Sequence, residues 1–226
     1  REGLRGVPKR LDPRHFYDGL GSALFTAITR LPWYRLSELE LTLLAQAGEA
    51  ITRSLAGPLA PIELGPGDGE KLARLAAPLC RRQTALSTHL IDISPAALTT
   101  AAAHLATIPQ VQVSQFAGDY SAGLRALPEF PGLKRFVCFL GSNLGNFEPA
   151  TALEFLREIR AALRSGDGLL LGVDLIKPES ELLIAYDDPL GVTAAFNKNL
   201  LLRINRELGG EFDLTLSVHR AHWNAP

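Results

Sequence analysis

Between residues 62 and 71 the chain reads IELGPGDGEK. Glycines alternate at Gly65, Gly67 and Gly69, the acid Glu63 stands just before them, and Lys71 just after. Glycine carries no Cβ, so such a loop lets the backbone approach a ligand closely. The spacing excludes two phosphate-binding patterns. A G-x-x-x-x-G-K loop needs a glycine where Glu70 stands, and so does a G-x-G-x-x-G fingerprint begun at Gly65 and Gly67. That argues against a nicotinamide oxidoreductase. Glu63 would repel a pyrophosphate but attract a cationic amino-acid moiety.

Two more acids stand in similar places. Asp92 lies in IDIS, where an acid can hydrogen-bond both hydroxyls of a ribose. The other reading of Asp92 is a helix cap, for which Ser94, directly before Pro95, is better placed. Asp119 lies in AGDY and could accept from an adenine amino group with Tyr120 beside the ring, or simply make a turn. A ligand with a ribose, an adenine and a cationic amino-acid arm is S-adenosylmethionine. A tight strand-to-helix turn with no ligand is the bland alternative for the glycine loop. Three acids after three successive strands form a constellation, and it points to a methyltransferase.

These residues need a scaffold that brings strand ends together. Short apolar runs at 62–64, 89–93, 111–116, 135–140 and 168–175 alternate with helical patterns at about 70–80, 95–106, 121–127 and 150–164. Such alternation predicts an α/β fold: a doubly wound, mostly parallel sheet of the class I methyltransferase type. Weak alternation in the fourth and fifth runs predicts strands buried on both faces. Ahead of the sheet, Asp12-Pro13 reads as a helix start, and Gly19 and Gly21 as a break between two short helices. Ser37 and Glu40 fit a capping box opening a helix that ends at Gly57-Pro58. Beyond the sheet, 178–208 reads as a helical insertion and EFDLTLSVHRAHW as a final alternating strand. The expected domains are therefore 1–57, a helical substrate-binding subdomain; 58–177, the cofactor-binding α/β core; and 178–226, a helical substrate-binding segment with a last strand.

Composition narrows the class further. The 226 residues are 46% hydrophobic and 21% charged with a formal net charge of −1, which leaves no basic field for a nucleic-acid backbone. No apolar run is long enough for a membrane span. The cysteines Cys80 and Cys138 read as buried thiols of a reducing compartment, so a cytoplasmic location is expected. His219 and His222 are three apart, which on a strand puts them on opposite faces, so no metal is expected. The chain has no methionine, even at residue 1, and stops at HWNAP, so a fragment is expected.

Several longer stretches resemble one family. FYDGLGSALFTAITRLPWY, ELGPGDGEK, IDIS, FLGSNLGNFEP and LLIAYDDPLGVTAAFNKNLLLRINRELGGEFDL are similar to the S-adenosylmethionine-dependent histidine Nα-methyltransferases of the ergothioneine pathway, which form hercynine. The resemblance implies S-adenosylmethionine as cofactor, a small amino acid as substrate, and three successive methylations of the α-amino group. It implies that Gly65, Lys71, Asp92, Asp119 and Tyr120 hold the cofactor; the chemistry of the loop itself adds Glu63 and Gly67 to that set. It implies that Tyr34, Asn146 and Tyr186 hold the amino acid, and that Tyr17 lies beside the amine. Tyr17 and Tyr34 are the catalytic candidates. Phe16 and Trp33 complete an aromatic head that could face a trimethylammonium, or simply pack.

The chain departs from the family in two ways. Arg35, Leu36, Ser37 and Glu38 occupy positions where the family usually has tyrosine, proline, threonine and arginine, which reverses a charge at Glu38. The groups that recognise the imidazole come, in the family, from strands beyond what matches residue 226. Relatives methylate other amino acids, including a prenylated tryptophan in fungi. A non-catalytic S-adenosylmethionine-binding domain, or a fragment of such an enzyme, is the alternative reading.

Overall fold

The computed structural model describes residues 2–224. The chain opens with α1 (Glu2–Arg5), a 3-10 turn at Pro13–Phe16, α2 (Gly19–Ile28) and α3 (Leu36–Arg53). Strands and helices then alternate: β1 (Leu59–Leu64), α4 (Glu70–Cys80), β2 (Leu86–Asp92), α5 (Pro95–Leu105), β3 (Val111–Ala117), α6 (Tyr120–Arg125), β4 (Lys134–Phe139), α7 (Pro149–Ala162) and β5 (Gly168–Leu171). Two helices follow, α8 (Glu179–Tyr186) and α9 (Val192–Leu208). The strands form one sheet in the order β3-β2-β1-β4-β5, with every pair parallel. Strand order reverses between β1 and β4, and in such sheets ligands bind outside the carboxyl ends of the strands there.

The chain divides into two units. One runs from Leu36 to Leu175; the other combines the residues up to Arg35 with those from Ile176 onward.

The sheet unit has one core on each face. On one face Leu44 of α3, Leu72, Leu75 and Leu79 of α4, and Leu98 and Leu105 of α5 pack on Leu59, Leu90 and Cys138. On the other, Leu124 of α6 and Phe155 and Ile159 of α7 pack on Ile62, Leu64, Val137 and Phe139. Helix starts follow local chemistry. Ser94 accepts from the Ala97 amide with Pro95 in the first turn, and Asp119 accepts from the Ala122 amide.

In the second unit α2 and α9 are joined through Asp18. Its carboxylate caps α2 at the Gly21 amide and accepts from Asn199 Nδ2, both at 2.8 Å, and pairs with Arg206 at 2.8 Å. These bonds hold the Asp18 carboxyl below its ordinary range, against the upward push of burial.

Five expectations are corrected. The helix 36–53, assigned by sequence to the head, belongs to the sheet unit, because its apolar face docks on α4: Leu44 is buried there, with Ile51 against the same core. Gly19 and Gly21 start α2 instead of breaking a helix, since Asp18 supplies the cap. The fifth strand stops at Leu171 and is only partly buried, because it pairs with β4 alone. Cys80 is partly exposed, and only Cys138 is fully buried; both are free thiols. Finally, residues 209–224 form no strand. A strand needs a partner for its backbone groups, and here side chains take that place. Asn205 bonds both the N–H and the C=O of Phe212 at 2.8 Å, and Asp213 Oδ1 accepts from Thr215. Leu216 and Val218, two of the alternating apolar positions of that run, are 81% and 76% exposed.

Candidate active site

The glycine loop lies at the carboxyl end of β1, and each glycine has its own reason. All three have positive φ, a region that favours glycine. A Cβ on Gly65 would stand 2.6 Å from the Tyr120 hydroxyl. One on Gly69, the first position before α4, would press on Ala101 of α5 at 3.0 Å. One on Gly67 would meet nothing within 4 Å. Gly65 and Gly69 thus make room for protein, whereas Gly67 borders open space. The loop is held by the Gly65 amide bonding Ile91 O and the Gly69 amide bonding Pro66 O, each at 2.9 Å.

Glu63 lies beneath the loop on β1, 1% exposed, between Leu90 of β2 and Cys138 of β4. Its Oε2 is buried and finds no hydrogen-bond partner among the described residues. Burial pushes its carboxyl up to about 8; Lys71 opposes the shift, while Glu40, Asp68 and Asp92 add to it. A buried acid with an orphaned oxygen suits a donor that arrives from outside, and a cation suits it best.

Lys71 does not project freely into the loop. Its Nζ lies 2.5 Å from Glu40 Oε2, and the same carboxylate accepts from the Gly141 amide at 2.9 Å. Glu40 therefore does not close a capping box with Ser37. Ser37 lies inside the first turn of α3, and Glu40 turns inward to partners on the loop after β4 and on α4. Sequence reasoning missed Glu40 as a site residue because its pattern has a complete local explanation.

Asp92 ends β2 and its Oδ1 accepts from the Ser94 amide at 2.8 Å. Burial raises its carboxyl, with that bond opposing. Asp119 caps α6. Tyr120 packs its ring on Phe139 and Phe155, with centroids 5.5 and 5.7 Å away, and turns its hydroxyl toward Gly65. Asn146 is exposed in the 3-10 turn Asn143–Asn146 that follows β4; α7 takes Glu148 as its N-cap, so Asn146 is not the cap. Ser142, which begins that turn, is the one non-glycine residue with positive φ among those described, at 56°. Such a conformation is costly and clusters at functional loops. Asn143 was also missed. Its Nδ2 lies 3.3 Å from where a Gly65 Cβ would be and bonds Leu140 O, so it joins the glycine loop to the loop after β4.

The tyrosines of the head collect in the other unit. Tyr17 packs edge-on to Phe25 at 5.6 Å and lies 5.8 Å from Phe196, while Phe16 stacks on Phe196 at 4.9 Å. Phe25 also meets Tyr34, whose ring stands 6.0 Å from Tyr186 at 81°. Tyr34 is buried and Tyr186 half exposed. The fold thus joins Tyr17, Tyr34 and Tyr186 through Phe25 and Phe196, two residues the sequence reading did not single out. His219 ties the following segment down by bonding the Tyr186 carbonyl at 2.8 Å. Glu38 is exposed in the first turn of α3, where a carboxylate suits the helix dipole.

Among the described residues no helix is long and apolar enough to cross a membrane. A family model described as histidine-specific methyltransferase, SAM-dependent, matches residues 1–226. Over 229 aligned residues the chain is 41% identical to the histidine N-alpha-methyltransferase of Mycolicibacterium smegmatis, covering 100% of this chain and 70% of that protein. It is 40% identical to the enzyme of that name from Mycobacterium tuberculosis, covering 99% and 69%. It is 27% identical to a 4-dimethylallyltryptophan N-methyltransferase of Claviceps purpurea, again covering 99% and 69%. With a glycine loop at the switch point of a 3-2-1-4-5 sheet and a buried acid beneath it, these matches show that the chain belongs to the S-adenosylmethionine-dependent, histidine-specific methyltransferase family.

Proposed function

We propose that this chain methylates the α-amino group of free L-histidine, three times in succession, to give hercynine. The observation that carries the reading is the orphaned, buried Glu63 under a glycine loop with open space at Gly67, in a chain of this family. S-Adenosylmethionine supplies an electrophilic methyl group on a sulfonium. The chain's own residues supply aim and charge.

Each candidate residue has a task in this reading. Glu63 and the backbone at Gly65 and Gly67 receive the cationic amino-acid arm, Asp92 the ribose, and Asp119 with Tyr120 the adenine end. Lys71 stands at the loop's edge, held by Glu40. Tyr34, Asn146 and Tyr186 orient the substrate's amino and carboxylate groups, and Tyr17 lies by the amine. An attacking amine must be neutral. Tyrosine hydroxyls and an amide carbonyl can orient its lone pair without holding an ammonium as a carboxylate would. As methyl groups accumulate, the nitrogen becomes a permanent cation, which aromatic faces stabilise by roughly 0.5–2 kcal/mol. The cluster around Tyr17, Phe25 and Phe196 supplies such faces. A cytoplasmic location fits this chemistry and the two free thiols.

The test is mass spectrometry of a reaction containing the protein, S-adenosylmethionine and a mixture of free amino acids. Trimethylated histidine is the expected product. Methylation of another amino acid would assign the changes from Arg35 to Glu38 to substrate choice. No methylated product would leave the non-catalytic reading in place.

A further inference from the structure

We infer that Glu40 is a positioning residue of the cofactor cleft: its buried carboxylate holds Lys71 and the Gly141 amide in place, and its charge sets how strongly the cleft prefers a cationic ligand over an uncharged analogue. The inference rests on the cofactor reading above and adds a residue and a function to it.

The geometry is that of a built site. Glu40 comes from α3, Lys71 from the first turn of α4, and Gly141 from the loop after β4, so one carboxylate ties three elements at the carboxyl end of the sheet. It is 9% exposed. The Gly141 N–H lies 2.9 Å from each of its oxygens, and Lys71 Nζ lies 2.5 Å from Oε2. Two glycines leave room for this arrangement. A Cβ on Gly172, just past β5, would collide with Glu40 Oε1, and one on Gly141 would stand 2.9 Å from Lys71 Nζ. The Gly172 amide, bonded to Phe139 O at 2.9 Å, fixes that wall.

Packing alone does not call for such a pair. Apolar residues of similar volume usually serve stability as well as a buried ion pair does. What they cannot supply is charge. Lys71 alone would make the cleft more positive beside Glu63 and oppose a sulfonium. Glu40 cancels that charge, and both groups act on Glu63, Glu40 raising and Lys71 lowering its carboxyl. The reaction converts a sulfonium into a neutral thioether, so the balance between Glu40 and Lys71 acts on cofactor and spent product differently.

The test measures binding, not turnover. S-Adenosylmethionine and S-adenosylhomocysteine, which differ by the methyl group and charge on sulfur, are titrated calorimetrically into wild type, Glu40→Gln and the double variant Glu40→Gln/Lys71→Met. Glu40→Gln is expected to weaken S-adenosylmethionine about 3- to 10-fold more than S-adenosylhomocysteine, the scale of one unit charge across a partly screened cleft. The double variant, which removes both charges, is expected to return the ratio of the two affinities to the wild-type value. Equal weakening of both ligands by Glu40→Gln, or a double variant that keeps the altered ratio, would overturn the inference and leave the cofactor reading intact. A wild type that binds neither ligand would bring down the cofactor reading, and this inference with it. Should Glu40→Gln fail to fold, Glu40→Asp takes its place. It keeps the charge and shortens the reach, so it is expected to weaken both ligands without moving their ratio, and a moved ratio overturns the inference.

Discussion

Glu63 is a carboxyl buried on β1 with one oxygen unpartnered among the described residues. Burial raises its carboxyl to about 8, against about 4.3 for a glutamate in the unfolded chain. The folded state therefore holds a proton that the unfolded state releases between those values. The stability contributed is complete below the unfolded value and is lost as pH rises through the folded one. The urea midpoint is expected to fall between about pH 5 and about pH 8.5, and Glu63→Gln, neutral throughout, to flatten that fall. A variant that falls as steeply as wild type would assign the titration elsewhere. A cationic ligand beside Glu63 favours its carboxylate, so binding near neutral pH should release protons. The observed heat would then vary with the ionisation enthalpy of the buffer. Asp92→Ala is expected to weaken the cofactor by about 1–3 kcal/mol, the worth of charge-assisted bonds to hydroxyls; unchanged affinity in calorimetry would remove Asp92 from the ribose. Tyr34→Phe is expected to spare cofactor binding and weaken the amino acid, and equal loss of both would show that the site is divided wrongly.

At the scale of the element, the strand-to-helix loop separates two kinds of glycine. Gly65→Ala faces both a positive φ and the Tyr120 hydroxyl, so it is expected to cost about 1–3 kcal/mol of stability. Tyr120→Phe in the same chain should recover part of that loss, since the clashing atom is gone. Gly67→Ala has only the backbone cost, about 1–2 kcal/mol, because its Cβ would enter open space. It should lower cofactor affinity more than it lowers the unfolding free energy. Denaturant melts set beside titrations of both variants check the contrast; a Gly67→Ala protein with full affinity would mean that no ligand passes the loop there. The ends of α4, α5, α6 and α7 all lay within a residue or two of where the sequence placed them. Their signals are local: a capping serine or aspartate, a proline in the first turn, and apolar residues at helical spacing.

At the scale of the whole molecule, the boundary between units falls ahead of α3 and not behind it. α3 covers Leu72, Leu75 and Leu79 with Leu44 and Ile51. A fragment of residues 36–175 is therefore expected to unfold cooperatively, whereas 58–177 leaves the apolar face of α4 uncovered and should lose that cooperativity. Equal melting behaviour of the two fragments, followed by circular dichroism, would show that α3 adds nothing to the sheet's core. Leu44→Ala in the intact chain tests the same contact and should cost about 2–5 kcal/mol.

The parallel sheet, the helices between its strands, the glycine loop after β1 and the acids at the strand ends are all legible in the residues alone. Each of these is written within a few neighbouring residues, where periodicity, caps and glycine spacing act. Tertiary structure decided what depends on a distant partner. Glu40 sits in a pattern that reads as a local cap, yet its carboxylate goes to an amide 101 residues away. The run 211–223 alternates like a strand, yet without a strand alongside among the described residues its backbone is held by Asn205 and Asp213. Phe25 and Phe196 read as ordinary core residues until α2 and α9 pack and place them among Tyr17, Tyr34 and Tyr186. Local geometry allows each of these side chains several partners, and only the energy of packing the assembled elements selects among them.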